Sequence, residues 1–301
     1  MTAAPPKPGP AEHETFQRLL AMAREEDLGP GDITSTLLPE SLSARARFVA
    51  RQELSVCGVA FLQTVAAAYD AEIRTTIRVP EGGRATPGQA LAEWAGPARG
   101  VMSAERVALN FLQRLCGVAT TTWQCVQAVA GTGARIYDTR KTTPGWRDLE
   151  KYAVRCGGGQ NHRHGLYDAV LIKDNHLAVL ARNAGADPIE AVSQALESLR
   201  PKLQDAAFVM IEVDTLDQLD GALKLPIDIV LLDNMPPEQL RQAVAMRDRA
   251  DLAGRVELEA SGGITPEQLR AVAAAGVERI SMGSLTHSAG SADIGLDIEL
   301  G

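Results

Sequence analysis

Apolar positions change their period along the chain. Over 14–26, Phe16, Leu19, Leu20 and Ala23 recur at the spacing of one helix face. The run Glu26-Asp27-Leu28-Gly29-Pro30-Gly31-Asp32 that follows is rich in breakers and reads as a loop. Over 44–96 the character alternates, as in Ala46-Arg47-Phe48-Val49-Ala50 and Ile73-Arg74-Thr75-Thr76-Ile77. Turns are expected at Pro80-Glu81-Gly82-Gly83 and Pro87-Gly88, so this stretch reads as a small α+β unit. Ser103 is placed to cap a helix running to Leu115, with Val107, Ala108, Phe111, Leu112 and Leu115 on its apolar side. The opposite stripe, Arg106, Asn110, Gln113 and Arg114, reads as solvated.

Beyond residue 130 the pattern becomes short apolar runs separated by helical ones. Strands are expected at 135–138, 169–173, 209–213, 229–233, 256–260 and 279–282, and helices at 188–199, 215–224, 237–249 and 266–274. Such alternation builds a parallel sheet. Six short strands at this spacing suit an incomplete TIM-like α/β barrel, preceded by the smaller N-terminal α+β domain.

The expected strands end in polar or glycine-rich clusters. These are Asp138-Thr139-Arg140-Lys141, Lys173-Asp174-Asn175-His176, Glu212-Val213-Asp214, Asp233-Asn234, Ser261-Gly262-Gly263 and Gly283-Ser284. One such Asp would be an ordinary turn or helix cap. Six together are better explained by a barrel, whose strand ends gather at the face where active sites sit. Ser261-Gly262-Gly263-Ile264-Thr265-Pro266 is expected to open a helix with Pro266 in its first turn. Together with Gly283-Ser284, it offers two phosphate loops after the last two strands.

Charge adds to this picture. The 301-residue chain carries a net charge of −8, which argues against nucleic acid or an anionic membrane as its main partner. Yet from 135 to 173 Arg135, Arg140, Lys141, Arg147, Lys151, Arg155, Arg163 and Lys173 outnumber Asp138, Asp148, Glu150 and Asp168. Arginine grips carboxylate or phosphate through a planar fork, so this concentration suits an anionic ligand. Gly157-Gly158-Gly159, ahead of His162 and Arg163, lacks the spacing of a dinucleotide fingerprint and reads as a flexible loop. Glu212 and Asp233, on consecutive strands, could hold a hydrated Mg²⁺ or offset a cationic transition state. Cys57, Cys116, Cys125 and Cys156 form no C-x-x-C pair and have no zinc spacing, so reduced thiols in a cytoplasmic protein are expected. No run is long and apolar enough to span a bilayer, and the proline-rich start reads as a disordered tail.

Several long motifs resemble the quinolinate phosphoribosyltransferases: Glu26 through Thr34, Ser103 through Leu115, and Asp138-Thr139-Arg140-Lys141-Thr142-Thr143-Pro144-Gly145. So do 156–163, 168–176, 259–264 and 280–287. The resemblance runs from about residue 15 onward. It implies a tail at 1–12, an N-terminal domain at 13–117 on which 289–301 packs back, and a barrel at 118–288. The implied reaction joins quinolinate to phosphoribosyl pyrophosphate (PRPP), giving nicotinate mononucleotide, pyrophosphate and CO₂ on the way to NAD. A homodimer with shared active sites is implied, alone or as an assembly of dimers, and Arg106 would reach the neighbouring subunit's site. Thr139, Arg140, His162, Arg163 and Lys173 would bind quinolinate. PRPP would meet Lys141, Glu212, Asp233, Ser261, Gly262, Gly263, Met282, Gly283, Ser284 and His287. Lys141, Lys173, Glu212 and Asp233 would be catalytic, with Mg²⁺ held by Glu212 and Asp233 directly or through water. The chain departs from the family at Cys116, where Ser is common, and carries His164 at a variable position.

Two other readings are open on the residues alone. A related transferase could use nicotinate, but one carboxylate needs fewer cations than Arg106, Arg140, Arg163 and Lys173 supply. A non-catalytic phosphate-ligand binder would have no use for both Glu212 and Asp233 near a ribose.

Overall fold

The structure, a computed structural model, describes residues 6–173, 175–176, 179–180, 182, 188–203 and 205–301. Asp174, part of one expected strand-end cluster, lies outside them, as do residues 1–5 of the expected tail. The chain divides into two compact units, one of residues 1–124, 141–159 and 284–301, the other of 125–140 and 160–283.

The first unit is built on a four-stranded antiparallel sheet in the order β12-β1-β5-β3, with β1 at Ser43–Ala50, β3 at Arg74–Ile77, β5 at Ala90–Pro97 and β12 at Ile294–Leu300. β2 (Leu54–Ser55) and β4 (Arg84–Ala85) form a separate ribbon. Alternation along β1 sends Ala44, Ala46 and Phe48 inward and leaves Ser43, Arg45 and Arg47 outside. Phe48 meets Trp94 edge to face, with ring centroids 4.8 Å apart.

Helix α1 spans Pro10–Leu28, starting inside the segment expected to be a tail. The Glu12 side chain accepts the Gly9 N–H at 2.9 Å, and Pro10 supplies a preset first-turn φ, so a helix start is encoded there. Helix α2 (Leu62–Tyr69) falls in the stretch that reads as strand-like. Helix α3 runs Ala98–Ala128, more than twice the expected length. Ser103 is therefore no cap. It lies within the helix and its Oγ donates to Asp32 Oδ2 at 2.7 Å. The expected solvated stripe also needs correction: Arg106 and Asn110 are exposed, but Gln113 donates to the Ile294 carbonyl at 2.8 Å and Arg114 is half-buried. Helix α4 (Arg147–Cys156) leads into the three glycines. These are not a flexible linker. A Cβ on Gly157 would lie 2.5 Å from the Ala119 carbonyl oxygen, and one on Gly159 would lie 2.7 Å from Thr122, so close helix approach requires them.

The second unit holds six parallel strands: β6 (Arg135–Tyr137), β7 (Val170–Ile172), β8 (Val209–Val213), β9 (Ile229–Asp233), β10 (Glu257–Ser261) and β11 (Arg279–Ser281). Their hydrogen-bonded order is β7-β8-β9-β10-β11-β6, an open TIM-like sheet. α5 (Pro188–Leu203), α6 (Leu216–Ala222), α7 (Pro237–Arg249) and α8 (Leu269–Ala273) fall between strands. Pro266 precedes α8 by three residues instead of opening it.

Register sorts the side chains. Leu171 pairs with Met210, Met210 with Ile229, Ile229 with Glu257, and Glu259 with Arg279. Registered neighbours share a face, as do residues two apart. One face therefore carries Leu171, Met210, Ile229 and Leu231, which form an apolar cluster with Phe208. Farther along, the same face carries Lys173, Glu212, Asp233, Glu259, Ser261 and Arg279. The other face is apolar, with Ile211, Val213, Val230, Leu232, Leu258 and Ile280 all buried.

Candidate active site

In the second unit, Asp138 is the anchor of the candidate site. It lies just past β6, wholly buried, and accepts the His162 N–H at 2.8 Å and the Asn161 side-chain amide at 2.6 Å. This carboxylate shapes the turn that presents His162 and Arg163. The His162 Nδ1 accepts the Arg163 N–H at 2.8 Å, which puts the neutral ring's proton on Nε2. Nε2 in turn faces Glu259 Oε1 at 3.4 Å. Glu259 is fully buried and accepts from Arg279 Nε at 2.6 Å. Burial pushes the Glu259 carboxyl up, but His162 and Arg279 outweigh that and hold it below the usual range. The Arg279 guanidinium also lies 3.7 Å from the centre of the Tyr137 ring.

Arg163 is buried and its Nε has no hydrogen-bond partner among the described residues. Burial, and then the nearby charge of Arg140, lower its pKa. Two guanidinium groups held this close repel each other, and a bound anion would relieve the cost. Asp168 shapes the next turn by accepting the N–H groups of His164 at 2.6 Å and Gly165 at 2.9 Å. His164 thus contributes backbone to that turn.

Lys173 Nζ donates to Glu212 Oε2 at 2.8 Å. Asp233 stands one pleat beyond Leu231, the registered neighbour of Glu212, on the same face. Its Oδ2 accepts from the Asn234 amide at 2.7 Å. Asn234 adopts φ +54°, and its N–H donates to the Ser261 carbonyl at 2.9 Å. Gly262 follows with φ +93°, and a Cβ there would lie 2.3 Å from Asn234 Oδ1. Gly263, at φ +56°, has open space around it, as a backbone cradle for a ligand requires. Met282 is buried, with its N–H donating to the Tyr137 carbonyl at 3.0 Å, and Gly283 follows it.

The second unit thus holds Thr139, Arg140, His162, Arg163, Lys173, Glu212, Asp233, Ser261, Gly262, Gly263, Met282 and Gly283. Arg106, Lys141, Ser284 and His287 belong to the first. There the Lys141 carbonyl accepts from Thr286 Oγ1 at 2.8 Å, and His287 Nδ1 is 2.6 Å from Ser288 Oγ. Sequence reasoning missed Asp138, Glu259 and Arg279 as supports of the site. A signal existed: a parallel strand covered on both faces should be uniformly apolar, yet β10 carries Glu257 and Glu259.

Another group of potential metal ligands lies buried in the first unit: Cys57, Glu81 and Cys156. Glu81 already accepts from the N–H groups of Gly58, at 2.9 Å, and Ala60, at 2.8 Å. Burial raises the pKa of both Glu81 and the Cys57 thiol, and the Glu81 oxygens are already engaged by backbone N–H groups. Cys116 is buried too, and burial pushes its thiol up. No described helix is long and apolar enough to cross a membrane.

Fold and site define an open, TIM-like α/β protein that gathers cations and carboxylates at the ends of its parallel strands. Residues 118–297 match the C-terminal domain of quinolinate phosphoribosyl transferase, and 32–116 match its N-terminal domain. The chain belongs to the quinolinate phosphoribosyltransferase family. It is 40% identical to the nicotinate-nucleotide pyrophosphorylase [carboxylating] of Mycobacterium leprae, over 96% of this chain and 97% of that one. It is 38% identical to the probable enzyme of that name from Bacillus subtilis, over 96% and 95%. The solved structure of the nicotinate-nucleotide pyrophosphorylase from Francisella tularensis aligns with a TM-score of 0.85 at 35% identity, covering 95% of this chain and 96% of that one.

Proposed function

We infer that this protein is the phosphoribosyltransferase that converts quinolinate and PRPP to nicotinate mononucleotide, pyrophosphate and CO₂, a step of NAD biosynthesis. The observation that carries the substrate reading is the juxtaposition of Arg140 and Arg163, with the nearby Glu212 holding Lys173. Three cations suit two carboxylates on one ring. In this reading Thr139, Arg140, His162, Arg163 and Lys173 hold quinolinate. The backbone at Ser261, Gly262, Gly263, Met282 and Gly283, with Ser284 and His287, takes the 5′-phosphate. Lys141 meets the pyrophosphate.

Glu212 and Asp233 offer only oxygen donors, on one face of adjacent strands. That set fits Mg²⁺, which binds through one or two carboxylates and completes its shell with phosphates and water. Bound there, Mg²⁺ would neutralise charge on the departing pyrophosphate. The two carboxylates also offset the positive charge that the ribose gains as pyrophosphate leaves. The ring nitrogen of quinolinate forms the new bond to the anomeric carbon. The positive ring nitrogen then stabilises the carbanion left on the adjacent carbon as its carboxylate departs as CO₂, and a proton takes the carboxylate's place on that carbon. No step needs a nucleophilic side chain. Catalysis here consists of holding anions in line and fixing charge.

The test is incubation with quinolinate, PRPP and Mg²⁺, with chromatography for nicotinate mononucleotide and a chelator control. Product that vanishes with the chelator and returns with added Mg²⁺ is expected. Nicotinate accepted in place of quinolinate would overturn the substrate reading, and no product with any base would leave only a binding protein.

The working unit in this proposal is a cytoplasmic homodimer in which Arg106 of a second copy completes each site. Supporting it, Ile33 and Leu37 are 87% and 83% exposed on the segment that Asp32 ties to α3, the helix carrying the exposed Arg106. Mixing Arg106→Ala with Lys141→Ala should restore part of the activity that each lacks. Absence of any restoration would rule out shared sites.

A further inference from the structure

One arginine on α3, itself assigned no ligand above, holds together two segments that carry proposed PRPP residues. Arg114 Nη2 donates to Glu150 Oε1 at 2.5 Å and to the Thr286 carbonyl at 2.6 Å, and Nη1 donates to the Ala289 carbonyl at 2.6 Å. Glu150, on α4, is wholly buried, and Arg114 supplies its counter-charge. The same carboxylate accepts twice from Thr143: from its N–H at 3.0 Å and its Oγ1 at 2.8 Å. Thr286 closes the circuit by donating Oγ1 to the Lys141 carbonyl at 2.8 Å.

The circuit runs from Arg114 to Glu150, to Thr143, along the backbone to Lys141, to Thr286 and back to Arg114. All its members lie in the first unit. Its bonds grip main chain at residues 141, 143, 286 and 289, leaving the Lys141 and His287 side chains outside it. A short exposed loop would otherwise sample many conformations, and each would displace the Lys141 ammonium from its working distance to His287.

We propose that Arg114 and Glu150 are positioning residues for the phosphoribosyl donor, setting the spacing between the Lys141 and His287 segments without touching substrate. This rests on the reading that Lys141 and His287 bind PRPP. Breaking the circuit should therefore weaken use of PRPP selectively, because the proposed quinolinate residues other than Arg106 belong to the second unit, where Asp138 and Asp168 hold the turns that carry His162 and Arg163.

The experiment compares Arg114→Ala, Arg114→Lys and Thr286→Val with the parent and with Lys141→Ala, each as the full chain. Initial rates are measured with PRPP varied at saturating quinolinate, and the reverse. Arg114→Ala should raise the KM for PRPP about tenfold or more while the KM for quinolinate stays within about twofold. Arg114→Lys, which keeps the charge but not the fork, should recover only part of this. Thr286→Val removes one bond of the circuit and little volume, so it keeps the test open if Arg114→Ala does not fold. A larger KM for PRPP is expected from it too. Equal rises in both KM values, or no change in the Arg114→Ala and Thr286→Val variants, would overturn the positioning role. If Lys141→Ala itself leaves PRPP use intact, the donor reading fails instead, and the two failures are told apart by that one control.

Discussion

Lys173 and Glu212 form an ion pair across the end of two neighbouring parallel strands, Nζ to Oε2 at 2.8 Å. The ammonium is half-exposed and the carboxylate is mostly covered. Such a pair contributes little to folding, under about 1 kcal/mol, because water screens the exposed partner. Lys173→Ala should therefore leave urea-induced unfolding nearly unchanged while lowering kcat/KM about a hundredfold or more, as the loss of a preorganised charge does. A large loss of stability with normal turnover in the folded fraction would contradict this division.

Asp138 should behave in the opposite way. It is completely buried and satisfies the His162 backbone and the Asn161 side chain. Asp138→Ala strands both donors, at a cost of about 1–3 kcal/mol. The denaturation midpoint should fall, and the KM for quinolinate should rise as the His162-Arg163 turn loosens. An unaffected midpoint would show that the turn holds without its carboxylate.

Two adjacent glycines separate strain from function. Gly262 combines φ +93° with a Cβ position 2.3 Å from Asn234 Oδ1, whereas Gly263 at φ +56° has room for a methyl group. Gly262→Ala should cost about 1–3 kcal/mol and disturb Asp233 through Asn234. Gly263→Ala should cost about 1 kcal/mol, the ordinary penalty of a left-handed residue. Equal melting shifts for the two variants would mean that Asn234 yields freely.

Acid should act partly through Asp32. Hydroxyl donation from Ser35 and Ser103, with the Ser35 N–H, pulls its carboxyl from 3.8 to about 2. The folded value lies below the unfolded one, so the contribution is complete above the unfolded pKa and is lost as pH falls toward the folded one. Thermal unfolding of Asp32→Asn should show a shallower loss of Tm than the parent between about pH 4 and 2. Solvent exposure keeps the effect small, and parallel Tm profiles would remove Asp32 from the acid response.

Much of the barrel was legible because its strands are dense in β-branched and aliphatic residues bounded by charge. β8 and β9 fall where Val209–Val213 and Ile229–Asp233 predict them, and α7 spans the expected 237–249. The first unit was less legible. The α2 sequence, Leu62–Tyr69, is short and apolar on most sides, so neither period stands out. The extension of α3 to Ala128 runs through Gly117, which by itself reads as a stop but is kept within the helix by close packing, since a Cβ there would lie 2.0 Å from the Gly290 carbonyl oxygen. Candidate site residues on strand ends are suggested by position alone. Arg114 is not, because its partners at 150, 286 and 289 are distant in sequence and the helix stripe it shares with Arg106 looks uniform.

β12 pairs with β1 along seven residues, and Arg47 of β1 meets Glu299 of β12 across 252 positions of sequence. During synthesis, the first strand of the small sheet must wait for a partner made after every strand of the barrel. Until then β1 exposes a hydrogen-bonding edge that any passing strand could claim. Chaperone protection of nascent chains should therefore be greatest late in translation, and a stop codon ahead of residue 294 should leave a chain that aggregates although its barrel is whole.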